Sequence, residues 1–192
     1  GADGATGATG ADGATGPTGA AGAGTIFASS SGDATVATTS LGGLANTVAV
    51  LPLSGSSAKS GITVNSGTID LTGITTGQPV ARDGVITSIT GFASIAVPTL
   101  LVGSTVTETI SLWQSTTPDN VYTPIPGASV TLAPPLTGVL SIGAISSGST
   151  TGLTIPVTAG TNLIVVYAAD TTSGIDVASV ITANVGAGVV IE

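Results

Sequence analysis

The sequence predicts an all-β protein in two parts, a collagen triple-helix stalk at residues 1–24 and a β-sandwich head at residues 25–192. Glycine recurs with a period of three through the first part. After Gly24 the period changes to two, carried by Val, Ile, Thr and Leu between clusters of Gly, Pro, Ser and Asn. The 10 Pro and 29 Gly would interrupt helices throughout, so an antiparallel sandwich or jelly roll is favoured over an α/β arrangement.

The stalk consists of eight consecutive Gly-X-Y triplets, with glycine at Gly1, Gly4, Gly7, Gly10, Gly13, Gly16, Gly19 and Gly22. In a collagen triple helix three chains wind together and place every third residue at a crowded axis, where only glycine fits. A flexible Gly/Ala/Thr spacer is the alternative, but it has no reason to keep this register. We therefore expect a homotrimer. At about 3.1 Å per residue the stalk spans roughly 70 Å, and with Pro17 as its only proline it depends on the head to hold three chains together.

Composition excludes most enzyme chemistry. The chain has no Cys and no His, which removes disulfides, thiolate and imidazole nucleophiles, Ser-His-Asp triads and the usual zinc ligands. Glu108 and Glu192 are the only glutamates, and aromatic residues are scarce, so paired-carboxylate glycosidase chemistry is also disfavoured. We expect no enzymatic activity and no cofactor.

Charge and hydropathy limit the partners. Lys59 and Arg82 are the only cations against ten carboxylates, and the net charge of −8 argues against nucleic acid or an anionic membrane as partner. The longest apolar run, Leu163 to Ala169, is far shorter than the ~20 residues of a membrane-spanning helix, so no membrane insertion is expected.

The head divides into short runs typical of strands, bounded by turn residues. The predicted strands are Thr25–Ala28, Thr35–Thr39, Asn46–Leu53, Gly61–Val64, Thr68–Thr72, Val85–Val97, Thr105–Gln114, Val121–Ile125, Ala128–Leu132, Val139–Ile142, Gly152–Val157, Asn162–Ala169, Asp176–Ala183 and Gly188–Ile191. Asp83-Gly84, before the long strand, predicts a tight turn with positive φ. The core is aliphatic and thin, so some apolar strand faces should be buried between subunits.

Glu108 stands out within the predicted strand Thr105–Gln114. It shares parity with Val106, Ile110 and Leu112, the face that should turn inward. A carboxylate on a buried face must be paired, protonated or at an open edge. The hypothesis is a buried ion pair of Glu108 with Arg82, or with Lys59, from the same or a neighbouring subunit.

The order of the two parts, together with several passages of the head, resembles a known family. The triplets Gly-Ala-Thr and Gly-Ala-Asp are followed directly by the β region, and the passages are Gly67–Gly73, Arg82–Ile89, Gln114–Asn120, Thr131–Gly138 and Thr151–Thr158. The chain is similar to the collagen-like Bcl glycoproteins of the bacterial spore exosporium, and its C-terminal part to their BclB-type domain. The resemblance implies a spore-surface filament with a distal trimeric jelly-roll head of the C1q/TNF kind. It also implies attachment to other spore-surface or appendage proteins through an N-terminal region not present in this sequence.

The same resemblance raises glycosylation of the stalk. Thr6, Thr9, Thr15 and Thr18 occupy Y positions, whose side chains project into solvent and could carry O-linked sugars. The alternative is that Thr is simply a tolerated solvated residue there.

Two other readings of the head stay open. Asp119 with Asn120, and Asp170 with Asp176, could offer oxygens to calcium, although no stretch matches an EF-hand loop. The head could instead be a lectin-like or host-binding adhesin, including a phage tail-fibre tip, with the stalk as spacer. Exposure of Trp113, Tyr122 and Tyr167 would discriminate, because sugar-binding heads usually present exposed aromatic rings.

Overall fold

The computed structural model describes residues 1–17, 24–40, 42, 44–117 and 119–192. These residues form fourteen β-strands and no helix. The strands are β1 (Thr25–Ser30), β2 (Thr35–Thr39), β3 (Ala45–Pro52), β4 (Gly55–Ser56), β5 (Lys59–Thr63), β6 (Ile69–Asp70), β7 (Gln78–Pro79), β8 (Gly84–Ile95), β9 (Thr99–Ser115), β10 (Val121–Thr131), β11 (Leu136–Leu140), β12 (Ile145–Val157), β13 (Asn162–Gly174) and β14 (Val180–Ile191).

The strands pair into a folded sheet that forms two layers. Along the main path the order is β12-β8-β14-β2-β3-β13-β9-β10-β6, with antiparallel neighbours throughout. The ladder turns back on itself, so that β8 faces β9 across the core. A Cβ atom added to Gly91 of β8 would lie only 2.8 Å from Ile110 Cδ1 of β9. The predicted all-β, sandwich-like fold is therefore confirmed.

Alternation of side chains builds the main core between these layers. In β14 every second residue is buried, from Ile181 through Ala183 and Val185 to Ile191. These side chains meet the inward residues of β3, β9 and β13 in one continuous apolar cluster. Removing such surfaces from water contributes about 25 cal/mol per Å² of apolar area, which makes this cluster the main source of stability.

A second, smaller core lies on the outer side of β3, β9 and β13. Ile69, Leu71 and Tyr122 cover Trp113 and Ile164 there. The strand β13 is consequently buried on both faces from Leu163 to Tyr167, which explains why that stretch reads as a continuous apolar run and not as an alternating pattern.

Several predicted boundaries are wrong for physical reasons. Asp176–Ala183 and Gly188–Ile191 belong together, because β14 continues to Ile191 through Gly188. Gly188 does not end a strand; a Cβ there would lie 2.7 Å from Thr90 Oγ1, so glycine permits close approach. The runs Val121–Ile125 and Ala128–Leu132 likewise lie along a single interrupted strand, β10, where Gly127 has φ 78°.

The predicted Asp83-Gly84 turn also differs from the structure. Gly84 is the first residue of β8 and has no positive φ. Asp83 Oδ1 instead accepts a hydrogen bond from the Ala159 backbone N–H at 2.8 Å. The dipeptide thus joins two distant loops and does not form the tight turn that its sequence suggested.

The sandwich has two ends, which we call the base and the tip. At the base, Thr25 pairs with Ile191, and Val85 exchanges backbone hydrogen bonds with Glu192. The tip is the opposite end of β14, around Val180. There the β2–β3, β8–β9, β11–β12 and β13–β14 connections lie together. Ala96 N–H donates to Thr182 C=O, Gly143 N–H donates to Ile95 C=O, and Gly42 N–H donates to the carboxylate of Asp176.

Residues 1–17 are exposed and have no regular secondary structure. From Gly1 to Gly16, a Cβ added at any of the six triplet glycines would meet nothing within 4 Å. Gly19, Gly22 and Thr18 lie outside the described residues.

Candidate functional site: an uncharged sheet face

The outward surface of β1, β14, β8 and β12 forms what we call the four-strand face. Strand register sets its side chains in rows, because residues opposite each other in an antiparallel ladder point to the same side. The rows, taken from base to tip, are Ile26-Val190-Ser88-Thr151, Ala28-Gly188-Thr90-Ser149, Ser30-Gly186-Phe92-Ser147 and Asn184-Ser94-Ile145. None of these positions carries a charge, on a chain whose net charge is −8.

Phe92 lies at the centre of this face. Its side chain is 43% exposed, and its neighbours in the row are Gly186 and Ser147. Two shallow grooves of about 330 and 280 Å³ flank the ring, one over Gly188 and Thr90 and the other along Ser30 and Asn184. A large aromatic ring left half in water among short side chains is what a protein contact surface presents.

The local sequence requires Phe92 to point outward. Ile89, Gly91, Ala93 and Ile95 of β8 are buried, so the intervening residue must face away from the core. The alternation of buried and exposed positions in this strand would have predicted that Phe92 points outward. The sequence analysis anticipated apolar faces between subunits but did not identify this residue.

Glu108 is buried as predicted, at 1% exposure, but its partners are not cations. The Tyr167 hydroxyl donates to Glu108 Oε1, and the Ser146 hydroxyl donates to Oε2. Tyr167 lies on the neighbouring strand β13, whereas Ser146 belongs to β12 in the facing layer. The carboxyl group therefore links the two layers through the core.

The predicted Glu108–Arg82 ion pair is replaced by these two hydroxyl contacts. Arg82 is exposed at the base, just before β8 begins, where it lines a pocket with Phe27 and Ile191. Ser146, the partner of Glu108, pairs with Ala93 near the other end of β8. From Gly84, where β8 begins, to Ala93 the strand is about 30 Å long, at roughly 3.3 Å per residue. Arg82 therefore lies far from Glu108. Lys59 is also exposed, on β5.

The environment of Tyr167 shifts its ionisation. Burial raises the pKa of the Tyr167 hydroxyl well above 10.0, and the negative charge of Glu108 and the hydrogen bond to it act in the same direction. The hydroxyl therefore remains a donor to Glu108 across the whole neutral range.

The candidate calcium ligands are occupied by protein donors. Asp119 accepts hydrogen bonds from Ser115 Oγ, Thr117 Oγ1 and the Val121 N–H, and its pKa is lowered chiefly by the Thr117 hydroxyl. Asp176 accepts the N–H of Gly42 in the β2–β3 connection, and Asp170 accepts the N–H of Ala45 at the start of β3, each at 2.7 Å. Within the residues that the structure describes, no group of three or more acidic, His or Cys side chains could hold a metal ion.

The aromatic residues of the adhesin reading are all buried. Tyr122 has its hydroxyl within the second core, where it accepts a bond from the Gly77 N–H at 2.7 Å, and Trp113 Nε1–H donates to Ser111 Oγ at 3.0 Å. Tyr167 faces Glu108. None of the three can stack on a sugar, so the lectin-like reading loses the residues on which it depended.

Three of the four threonines predicted to carry sugars are described by the structure. Thr6, Thr9 and Thr15 are exposed, whereas Thr18 lies outside the described residues.

The fold and this face define an all-β, sandwich-like protein with an uncharged sheet surface. In comparisons with known proteins, no family model matches the chain, and searches of curated proteins and of solved structures found no match either. Among the described residues, no helix has the length and apolar character needed to cross a bilayer.

Proposed function

We propose that this chain is the head and adjoining stalk segment of a trimeric, collagen-like filament protein of the bacterial spore surface, with a structural and not an enzymatic role. The observation that carries this proposal is the glycine register of the first 24 residues, which nothing within a single chain explains.

Glycine is normally required for positive φ or for close approach of other atoms. Neither reason applies to the described triplet glycines, from Gly1 to Gly16: none has positive φ, and each has open space where a Cβ would be. By contrast, Gly91 in β8 is crowded by Ile110 and Leu132 at 2.8 Å. The period of three is therefore explained by contacts with other chains. In a collagen triple helix, two further chains pack against every third residue and leave room only for glycine.

The four-strand face gives the head a surface suited to the same three-fold assembly. It is uncharged, so copies of a strongly acidic chain can meet there without bringing carboxylates together. The Phe92 ring projects from this face between two grooves, so the same surface has both a protruding part and recesses that a second copy could fill. Opposed layers of β1-β14-β8-β12 and β3-β13-β9-β10 are also the arrangement of an eight-stranded jelly roll, which supports a C1q/TNF-like head.

The role of the head follows from where the stalk enters. Residue 24 leads directly into β1, which is part of the four-strand face, so three heads that associate there hold three stalks at high effective concentration. The head thus selects three chains, sets their register and caps the filament. Location on the exosporium or an appendage, and O-glycosylation of the stalk threonines, rest on the resemblance to exosporium glycoproteins.

Placing a carboxylate at the centre of the face tests this proposal. Phe92→Asp should convert trimers, three times the 18.0 kDa chain mass, into folded monomers, because three desolvated carboxylates would meet in the interface. Ile74→Asp is the matched control, since Ile74 is 46% exposed but lies on the outer side of the opposite layer. Light scattering measures the mass, and far-UV circular dichroism checks the fold.

Monomeric native protein at micromolar concentrations would refute the trimer. A Phe92→Asp variant that stays trimeric would refute the assignment of the face, while leaving the triple helix itself intact as a proposal.

A further inference from the structure

The tip of the sandwich is covered by exposed aliphatic side chains that no part of the described structure shields. Each connection that turns there contributes at least one, as do the adjoining ends of β9, β11, β12 and β14. They are Leu44, Val97, Leu100, Val102, Val139, Ile142, Ile145, Ile175, Val177 and Val180.

Five of these side chains line a single groove. Leu100 and Val102 of β9 lie on one side of a groove of about 390 Å³, and Val177 and Val180 lie on the other. Val139 projects beside this groove, because it pairs with Leu100 in the β9–β11 ladder, and Ile142 follows it in the next connection. The tip therefore carries both a ridge and a groove.

The extent of this surface is that of an interface. Exposed fractions run from 37% at Val177 to 75% at Val139. They correspond to on the order of 900 Å² per chain, above the ~300–600 Å² of the largest patch on a typical monomer and close to the ~800 Å² that each partner buries in a standard complex.

We propose that the tip binds a second copy of the same tip, so that two heads associate end to end. A ridge and a groove within one patch meet the requirement of a two-fold contact, in which each copy supplies both halves. This contact shares only Ile145 with the four-strand face and does not depend on the trimer: single heads would pair into dimers, and trimeric heads into hexamers.

Charge permits a second copy to approach at this end. The tip segments 96–105, 136–145 and 175–182 contain a single charged residue, Asp176, whose carboxylate accepts the Gly42 N–H. Asp170 lies beside the tip, where its carboxylate accepts the N–H of Ala45, the residue after Leu44. Tip-to-tip contact therefore buries aliphatic surface and brings few carboxylates close together, each of them already hydrogen-bonded to a backbone N–H. An aliphatic surface without exposed aromatic rings offers a sugar no stacking partner.

The test compares two double variants, each with one Val→Thr and one Ile→Thr change at exposed positions. Val139→Thr with Ile142→Thr blunts the ridge at the tip. Ile74→Thr with Val121→Thr makes the same chemical changes at exposed positions away from it. Sedimentation velocity measures the mass at protein concentrations from 1 to 200 µM, in a buffer of about 0.15 M salt. The same series is then repeated with the Phe92→Asp variant.

The native protein and the control pair should double in mass as concentration rises, and the tip variant should need at least a tenfold higher concentration. High salt should strengthen the association, since it is apolar. In the Phe92→Asp background the step becomes one chain to two, which separates this contact from the proposed trimer.

Equal masses for native protein and tip variant at every concentration would overturn the proposal. A tip variant that falls from three chains to one would assign the tip to the trimer contact instead. Native protein that never doubles but binds octyl-coated beads, when the tip variant does not, would show that the occupant is a non-protein apolar surface.

Discussion

The contact between Tyr167 and Glu108 leads to a quantitative prediction about the stability of the sandwich. Tyr167→Phe removes one hydroxyl and leaves the ring in place, so the packing of the main core is unchanged. Glu108 then keeps Ser146 as donor to Oε2, while Oε1 is left without its partner in a buried site. The variant should be less stable than the native protein by more than the value of an ordinary hydrogen bond.

The magnitude follows from the character of the acceptor. A hydrogen bond to a charged group contributes about 1.5–3 kcal/mol to folding, against about 0.5–1.5 kcal/mol between neutral groups. In a domain of this size each kcal/mol changes the melting temperature by about 2–4 °C, so we expect a loss of roughly 3–12 °C. Tyr122→Phe is the matched control, because that hydroxyl is equally buried but accepts from a neutral backbone N–H of Gly77.

Urea denaturation of the two variants, monitored by circular dichroism, provides the comparison. A double-mutant cycle with Glu108→Gln then isolates the pair, and the Tyr167→Phe change should cost at least ~1 kcal/mol less in that background. The reasoning is refuted if Tyr167→Phe costs no more than Tyr122→Phe, or if its cost is the same with and without Glu108→Gln.

Three further predictions concern pH, packing and assembly. Burial raises the folded-state pKa of the Tyr167 hydroxyl above 10.0, so its contribution to the free energy of unfolding is complete below that pH and declines as pH rises toward the folded-state value. Urea midpoints at pH 8 and 11 should show this loss of stability in the native protein, and a smaller loss in Tyr167→Phe. Gly91→Val should cost about 1–3 kcal/mol through overpacking against β9, whereas Thr123→Val at an exposed position of β10 should stay within ~0.5 kcal/mol; denaturant titration distinguishes them. Deleting residues 1–24 should leave the trimer intact by light scattering, and in the full chain circular dichroism should show the stalk melting below the head; dissociation on deletion would contradict this order.

Local patterns in the sequence predicted more of this molecule than its long-range contacts. A period of two sufficed for the all-β fold, and parity within Thr105–Gln114 correctly placed Glu108 inside. The partners of Glu108 were beyond such reasoning, because Ser146 and Tyr167 lie 38 and 59 residues away along the chain. Which strands face each other depends on the pairing of all the strands in the sheet. The presence of a cation such as Arg82 in the sequence does not indicate whether its strand lies near Glu108.

The four-strand face shows the same division. The outward position of Phe92 follows from its neighbours in β8, but its surroundings of Gly186, Ser30 and Ser147 come from three other strands brought together by register. The sequence predicted a break between Ala183 and Gly188, whereas β14 is continuous there and Gly188 permits the close approach of Thr90. Sequence patterns indicate which way a residue points and not what it meets.

The junction between stalk and sandwich has a mechanical consequence. β1 begins at Thr25 and runs antiparallel to β14 over six register pairs, ending at Ser30 opposite Gly186. A pull on the chain directed along β1 strains the bonds between the two strands in shear. In this geometry many bonds must break at once, whereas a strand peeled sideways loses them one after another. In the filament that we propose, this geometry would keep the head attached under drag.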